Sequence, residues 1–317
     1  MIVALAGGVG AAKLLLGLIQ VVPQKDLTVI VNTGDDIVLH GLHISPDIDI
    51  ILYTLSGIVD EEKGWGIRGD AFDCLGMLGR YGEETWFQLG DADLATHIYR
   101  TRLLREGLSL SEATSRLCRW LDLETEVLPM SNERLETRIA TDEGIMHFQE
   151  YLVKRGAEPV VRGVEFAGRE EAKPAPRVIE SISSANGVIV CPSNPVVSIG
   201  PILAIRGIRK AVERTRAPIV GVSPIVKGAA IKGPADKLMR SLGIEVSAYG
   251  VAHLYRDFLD GFVIDNADRR LKGKIEALGV RVAVTNTIMR NLRDKVSLAQ
   301  VVLGLLGSLQ KEKRSQT

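Results

Sequence analysis

Two pairs of aspartates, Asp35 with Asp36 and Asp47 with Asp49, follow closely on a glycine cluster formed by Gly7, Gly8 and Gly10. The glycines stand at the end of an apolar run, residues 2–6, and before a helix that opens with Ala11, Ala12 and Lys13. Strand, glycine turn and helix N-terminus together make an anion-binding corner. Glycine lets the backbone approach closely, and the first free N–H groups of the helix point at the ligand. Carboxylates beside a phosphate typically hold Mg²⁺, which takes a few oxygens and keeps its waters. The combination implies a phosphorylated ligand and a divalent cation. Lys13 is long enough to reach a phosphate, and equally reads as a solvated helix lysine. Asp47 is favoured in the first turn of a helix by the dipole alone, whereas Asp49 in the same turn adds repulsion that an ion would relieve. His40 and His43, between the acid pairs, read either as hydrogen-bonding groups or as ligands.

Three further segments carry polar groups suited to a cleft. Pro192, Ser193, Asn194 and Pro195 follow a buried run at 187–191 and form a rigid loop with donors and acceptors for a base or a phosphate, or a plain turn. In residues 90–97, Asp91 or Asp93 is a natural helix cap, and Thr96 and His97 fall where they could face the same cleft. Residues 145–151 read as a strand, which would put His147, Gln149 and Tyr151 on one face.

The elements that must position these groups follow from apolar patterning. Residues 2–6, a helix at about 11–21 and a second apolar run at 27–31 form a βαβ unit, hence a parallel sheet. Asn32 to Asp36 would then turn beside the glycine loop. Ser45 as N-cap and Pro46 at the first helical position open a helix. Residues 61–123 read as mainly helical, and 137–141, 145–151 and 160–166 as short strands, with Pro174 and Pro176 marking a boundary. The βα rhythm resumes with strands at 187–191, 219–222, 262–264 and 280–284 and helices at 201–214 and 233–241. A last helix carries Leu298, Val301, Val302, Leu305, Leu306 and Leu309 on one face. The expected fold is α/β: a Rossmann-like parallel sheet flanked by helices. Residues 1–60 and 176–317 would form the nucleotide- or phosphate-binding core, and 61–175 an inserted helical and β-rich region over the cleft.

Bulk properties narrow the class. The chain has 317 residues, 46% hydrophobic and 25% charged, ample for a large buried core. Its formal net charge of zero argues against nucleic acid as the main partner. Cys74, Cys118 and Cys191 are far apart and read as buried small hydrophobes in a reducing compartment. No signal sequence is visible and no run reaches the ~18 apolar residues of a membrane span. A soluble cytoplasmic protein, without membrane partners, is expected.

The glycine loop lacks the third glycine of GxGxxG, no GK[ST] follows it, and strand 2 ends in Asn32 rather than in an acid that would bind a ribose. These departures argue against a nicotinamide-dependent oxidoreductase and against a P-loop. In order and spacing, the segments AGGVGAAK, VNTGDD, SPDIDIILYTL, GWGIRGD, LGDADLATH, MHFQEY, CPSNPVVSIGPI, VGVSPI and KGPADKLM resemble the 2-phospho-L-lactate transferases of deazaflavin coenzyme F420 biosynthesis. The resemblance covers nearly the whole chain. It implies transfer of a phospholactyl group from lactyl-diphospho-guanosine (LPPG) to the ribityl hydroxyl of the deazaflavin FO, giving F420-0 and GMP. In some bacterial members the enolpyruvyl donor (EPPG) gives the dehydro product.

The resemblance further implies a requirement for Mg²⁺ and a homodimer. Asp49 matches the FO-contact aspartate, and Gln88 falls at the second FO contact, where some relatives carry a basic residue. His97 is assigned to the FO side. Gly7, Gly8, Val9 and Gly10, with Lys13, and Ser193, Asn194 and Pro195 match the guanosine diphosphate side. Asp49, together with Asp36, is expected to hold Mg²⁺ or orient the attacking hydroxyl, and Asp49→Asn is expected to fold normally while losing turnover. The alternative is a nucleotide-sugar-binding regulator of the same fold superfamily without transferase activity. The SPDID, DADLATH and HFQEY segments favour the enzyme.

Overall fold

The computed structural model describes residues 1–315. Strand β1 (Ile2–Ala6) is buried and runs into helix α1 (Gly8–Leu18), which returns to strand β2 (Leu27–Val31). A short hairpin follows, β3 (Ile37–Leu39) and β4 (Leu42–Ile44), turning through His40 and Gly41, both with positive φ. Helix α2 (Pro46–Leu55) starts at Pro46 as expected. Ser45 does not cap it: its hydroxyl donates to Asp36 Oδ2 at 2.7 Å instead.

The middle of the chain gives α3 (Asp73–Arg80), α4 (Asp91–Arg105) and α5 (Leu110–Trp120), then β5 (Glu126–Pro129), β6 (Glu136–Thr141), β7 (Gly144–His147) and β8 (Val161–Ala167). The caps of α3 and α4 are exchanged between segments. Asp70 accepts from the Ala92 and Asp93 amides at the start of α4, and Asp91 accepts from the Asp73 and Cys74 amides at the start of α3.

The last part adds α6 (Val178–Ser184), β9 (Gly187–Val190), α7 (Ile199–Ala204), α8 (Ile208–Arg214), β10 (Ile219–Val222) and the small hairpin β11 (Ile225–Val226) and β12 (Ala229–Ala230). It closes with α9 (Ala235–Ser241), α10 (Ala248–Leu254), β13 (Gly261–Asp265), α11 (Lys272–Glu276), β14 (Arg281–Thr285) and α12 (Leu292–Ser315). The single helix expected at 201–214 is two, because Ile205 turns extended and Gly207 takes a positive φ of 99°.

The central sheet has seven parallel strands in the order β14-β13-β10-β9-β1-β2-β5. From β1 the chain winds one way through β2 to β5, then crosses to β9 and winds the other way. This is the doubly wound α/β plan, and its switch point lies between β1 and β9. Ligands bind outside the carboxyl ends of the strands at such a point. Edge strand β5 comes from within residues 61–175, so that stretch supplies a strand of the core sheet as well as the cover.

Successive side chains pack on opposite faces. Val3 and Leu5 enter one core cluster, Ala4 and Ala6 the other, beneath α1 and α12. Each fully buried Leu, Ile or Val contributes about 1.5–3 kcal/mol. The antiparallel sheet β7-β6-β8 lies apart from the central one. Among the described residues no helix is long and apolar enough to cross a membrane.

Candidate active site

The carboxyl ends of β1 and β9 open into a cavity of about 720 Å³. One wall is the glycine corner. Gly8 takes a positive φ of 70° and begins α1. A β-carbon at Gly7 would stand 2.6 Å from Asp47 Oδ2 and 2.8 Å from Ser198 Cβ, and one at Gly10 would run into the Pro192 carbonyl oxygen. The glycines are therefore required by close approach of neighbouring chain, and they bind the two halves of the sheet together. The Gly7 amide donates to Ser193 Oγ at 3.2 Å, and the Gly8 amide to Asp47 Oδ1 at 2.8 Å. Asn194 Oδ1 accepts from the Val196 and Val197 amides, which fixes the loop after β9.

Asn32 is the residue that sequence reasoning used only to exclude a nicotinamide site. Its Nδ2 donates to Asp47 Oδ2 at 2.8 Å and to the Val197 carbonyl at 3.3 Å, while its Oδ1 accepts from the Gly34 amide. It sets the acid loop against both phosphate-side loops.

The acids divide in an order the sequence did not show. Asp35, Asp47, Asp49 and Asp93 line the cavity. Asp36 is not among the lining residues: its Oδ2 accepts from Ser45 Oγ, with His43 Nε2 at 3.0 Å, while its Oδ1 is buried without a hydrogen-bond partner. His43 is thereby a hydrogen-bonding group, and His40 stands 3.7 Å from Glu83. Burial, then the charge of Asp47, push the Asp35 carboxyl well above its ordinary range. Burial raises Asp47 to about 6, against the hydrogen bonds from Asn32 and Gly8. Asp35 Oδ1 is buried without a hydrogen-bond partner.

Two desolvated carboxylates with a free lone pair suit Mg²⁺, which uses one or two protein carboxylates and completes its shell with water and substrate phosphate. No group of three or more ligating side chains occurs among the described residues.

The opposite wall is a buried chain of charges between α2 and α4. Arg100 is fully buried and grips both carboxylate oxygens of Asp49, Nη1 donating to Oδ2 at 3.1 Å and Nη2 to Oδ1. Arg100 Nη1 also lies 3.4 Å from His97 Nδ1. His97 Nδ1 also lies 3.6 Å from Asp49 Oδ2, and its Nε2 lies 3.3 Å from Asp93 Oδ1. Tyr53 OH donates to the same Asp93 oxygen at 2.7 Å. Although burial opposes it, contact with His97 and Tyr53 holds the Asp93 carboxyl below its ordinary value. Burial, with the charges of Asp49 and Asp93, pushes the Tyr53 hydroxyl up and keeps it a donor.

Gln88 and His97, expected on the FO side, both line the cavity, with Gln88 Nε2 donating to the Thr85 carbonyl. Of the phosphate-side residues, Gly7, Gly8, Val9, Gly10, Lys13, Ser193 and Asn194 line it. Pro195 is absent from the lining. The single polar face expected from His147, Gln149 and Tyr151 does not form. Strand β7 ends at His147, whose Nδ1 accepts from the Gln149 amide, and the chain winds into a π-helical turn, Glu150–Lys154. Phe148, Gln149 and Leu152 reach the cavity, and Tyr151 packs in the core.

The raised Asp47 carboxyl has a consequence for stability. A carboxyl whose folded pKa is raised holds its proton more tightly folded than unfolded, so stability is lost as pH rises from the ordinary 3.8 to about 6. A divalent cation, if held by ionised Asp35 and Asp47, would reverse that loss. Saturating Mg²⁺ is expected to raise Tm by a few degrees at about pH 7.5, on the order of the stabilisation given by ligand at ~100 times its Kd, and by much less at about pH 5. Equal shifts at both pH values in a thermal melt would remove the two acids from the cation site.

Comparison with known proteins gives the family and the fold. The family described as 2-phospho-L-lactate transferase CofD matches residues 2–299. The chain is 41% identical to the 2-phospho-L-lactate transferase of Methanosarcina mazei, covering 94% of this chain and 98% of that one. It is 45% identical to the enzyme of the same name from Methanothermobacter thermautotrophicus, over 96% and 97%. It is 44% identical to the phosphoenolpyruvate transferase of Streptomyces griseus, over 96% and 98%. A solved structure of a UPF0052 family member from Bacillus halodurans superposes with a TM-score of 0.62 at 16% identity, over 95% of this chain and 98% of that one, which shows a shared fold.

Proposed function

The chain belongs to the 2-phospho-L-lactate transferase CofD family, and from that premise we propose that it moves a phospholactyl or enolpyruvyl-phosphate group from LPPG or EPPG to the ribityl hydroxyl of FO, releasing GMP. One observation carries this reading: a single cavity joins the glycine corner and the loop after β9 to the buried charge chain of Asp49, Arg100, His97 and Asp93. The first wall suits a diphosphate and the second suits an uncharged polyhydroxyl acceptor.

Phosphoryl transfer asks the protein mainly for alignment and charge neutralisation. The hydroxyl oxygen forms the new bond to the phosphorus bearing the lactyl or enolpyruvyl oxygen. The bond from that phosphorus to the bridging oxygen breaks, its electron pair leaves on GMP, and the hydroxyl proton passes to solvent.

Asp49 orients the hydroxyl. Arg100 occupies one lone pair on each of its oxygens, leaving others directed at the acceptor. Asp35 and Asp47 would hold Mg²⁺, which when bound supplies positive charge beside the diphosphate. His97 sits between Asp49 and Asp93 and shapes the acceptor wall. Incubation with FO, Mg²⁺ and either donor should release GMP. Tight donor binding without GMP release would support a binding protein and overturn this reading.

A further inference from the structure

Lys232 belongs to the KGPADKLM segment, which the reading of the two walls leaves unused. It follows the β11–β12 hairpin and lines the cavity. The hairpin is a fixed arm. Its turn passes through Lys227 and Gly228, both with positive φ, and the Lys227 amide donates to both carboxylate oxygens of buried Asp268, at 3.2 and 3.0 Å.

The arm ends over the glycine corner. A β-carbon on Gly64 would stand 2.9 Å from Lys232 Nζ and 3.7 Å from Val9 Cγ1, so the ammonium and a side chain from the first turn of α1 both lie against Gly64. Partial burial, then the charge of Lys13, push the Lys232 ammonium down. Glu61, an acid that the charge of Lys13 reaches, is paired with Lys295 at 2.9 Å. Two ammonium groups that line the same cavity as the glycine corner leave a place for an anion.

Resting on the reading above, we propose that Lys232 is a ligand of the donor's diphosphate, gripping it from above while the glycine corner and Lys13 hold it from below. Its charge faces the phosphate that departs on GMP, where negative charge grows as the bridging bond breaks.

Calorimetric titration of the full chain in Mg²⁺ with GDP, and separately with guanosine, tests this. Lys232→Ala should weaken GDP on the order of tenfold or more, as loss of a charge-assisted phosphate contact does, and Lys232→Arg should restore most of it. Guanosine binding should be equal in all three proteins. If Lys232→Ala binds GDP like the parent, Lys232 is no phosphate ligand, although the donor reading stands. If guanosine weakens in parallel with GDP, the arm is only structural and the inference fails. If the parent itself does not bind GDP, the donor reading falls and the inference with it.

Discussion

Asp49→Asn will lower kcat on the order of 10²–10³-fold, the usual cost of losing a group that orients or stabilises charge at a reacting centre. It will also destabilise the fold, contrary to the expectation drawn from sequence alone that folding is untouched. Arg100 is fully buried, and the carboxamide that replaces the Asp49 carboxylate turns one donor toward a guanidinium that can only donate. Breaking a buried pair by removing one partner typically costs about 3–5 kcal/mol, because the remaining charge is left without compensation. Arg100→Met should cost a similar amount from the other side, leaving the buried Asp49 without its cation and close to His97 and Asp93.

The double variant separates structure from chemistry. With both charges gone, Asp49→Asn/Arg100→Met should recover most of the lost stability, since a buried pair replaced as a unit is often nearly neutral. Turnover should stay low, because the oriented carboxylate is still missing. Denaturant unfolding of the four proteins beside their kcat values makes the comparison. If Arg100→Met keeps full stability and activity, Asp49 does not depend on the pairing.

Gly10→Ala will weaken nucleotide binding with little room for relief. The new β-carbon meets the Pro192 carbonyl, a backbone atom that cannot rotate away, so α1 and the loop after β9 must separate. Overpacking of this kind costs about 1–3 kcal/mol of stability. The larger effect is on function, because even a ~1 Å displacement between positioning groups can cost ~100-fold in rate. GDP affinity and kcat/KM measured on Gly10→Ala should both fall by at least that factor. A variant that binds GDP normally would show that the corner does not cradle the diphosphate.

Much of the plan was legible in the sequence. The apolar run 2–6, the glycines, the run 27–31 and the later strands carry the period and breakers of a doubly wound sheet, and all appear. The glycine loop and the Ser193–Asn194 loop were legible because each closes a buried strand, which places both at the switch point.

Part of what escaped reading depends on contacts far apart in the chain. Arg100 meets Asp49 across 51 residues, and it reads as an ordinary charge within α4 until the helix is seen against α2. The choice of Asp35 over Asp36 as the cavity acid turns on His43 and Ser45 capturing Asp36. Strand β5 is only four residues and ends in Pro129, too short to show a period. Residues 145–151 alternate as a strand would, yet the His147 side chain caps the next turn and ends the strand early. The signal for that stop was a local hydrogen bond, which periodicity does not register.

The central claim is that this cavity joins a phospholactyl or enolpyruvyl-phosphate group, activated as its guanosine diphosphate ester, to a deazaflavin hydroxyl. The most direct test is mass spectrometry of the product formed from FO and Mg²⁺ with LPPG and with EPPG in turn. The proposed reaction predicts a deazaflavin carrying the phospholactyl or the enolpyruvyl-phosphate group, formed in equal amount with GMP, from at least one donor. Unchanged FO with both donors, from a folded protein that binds them, would contradict it.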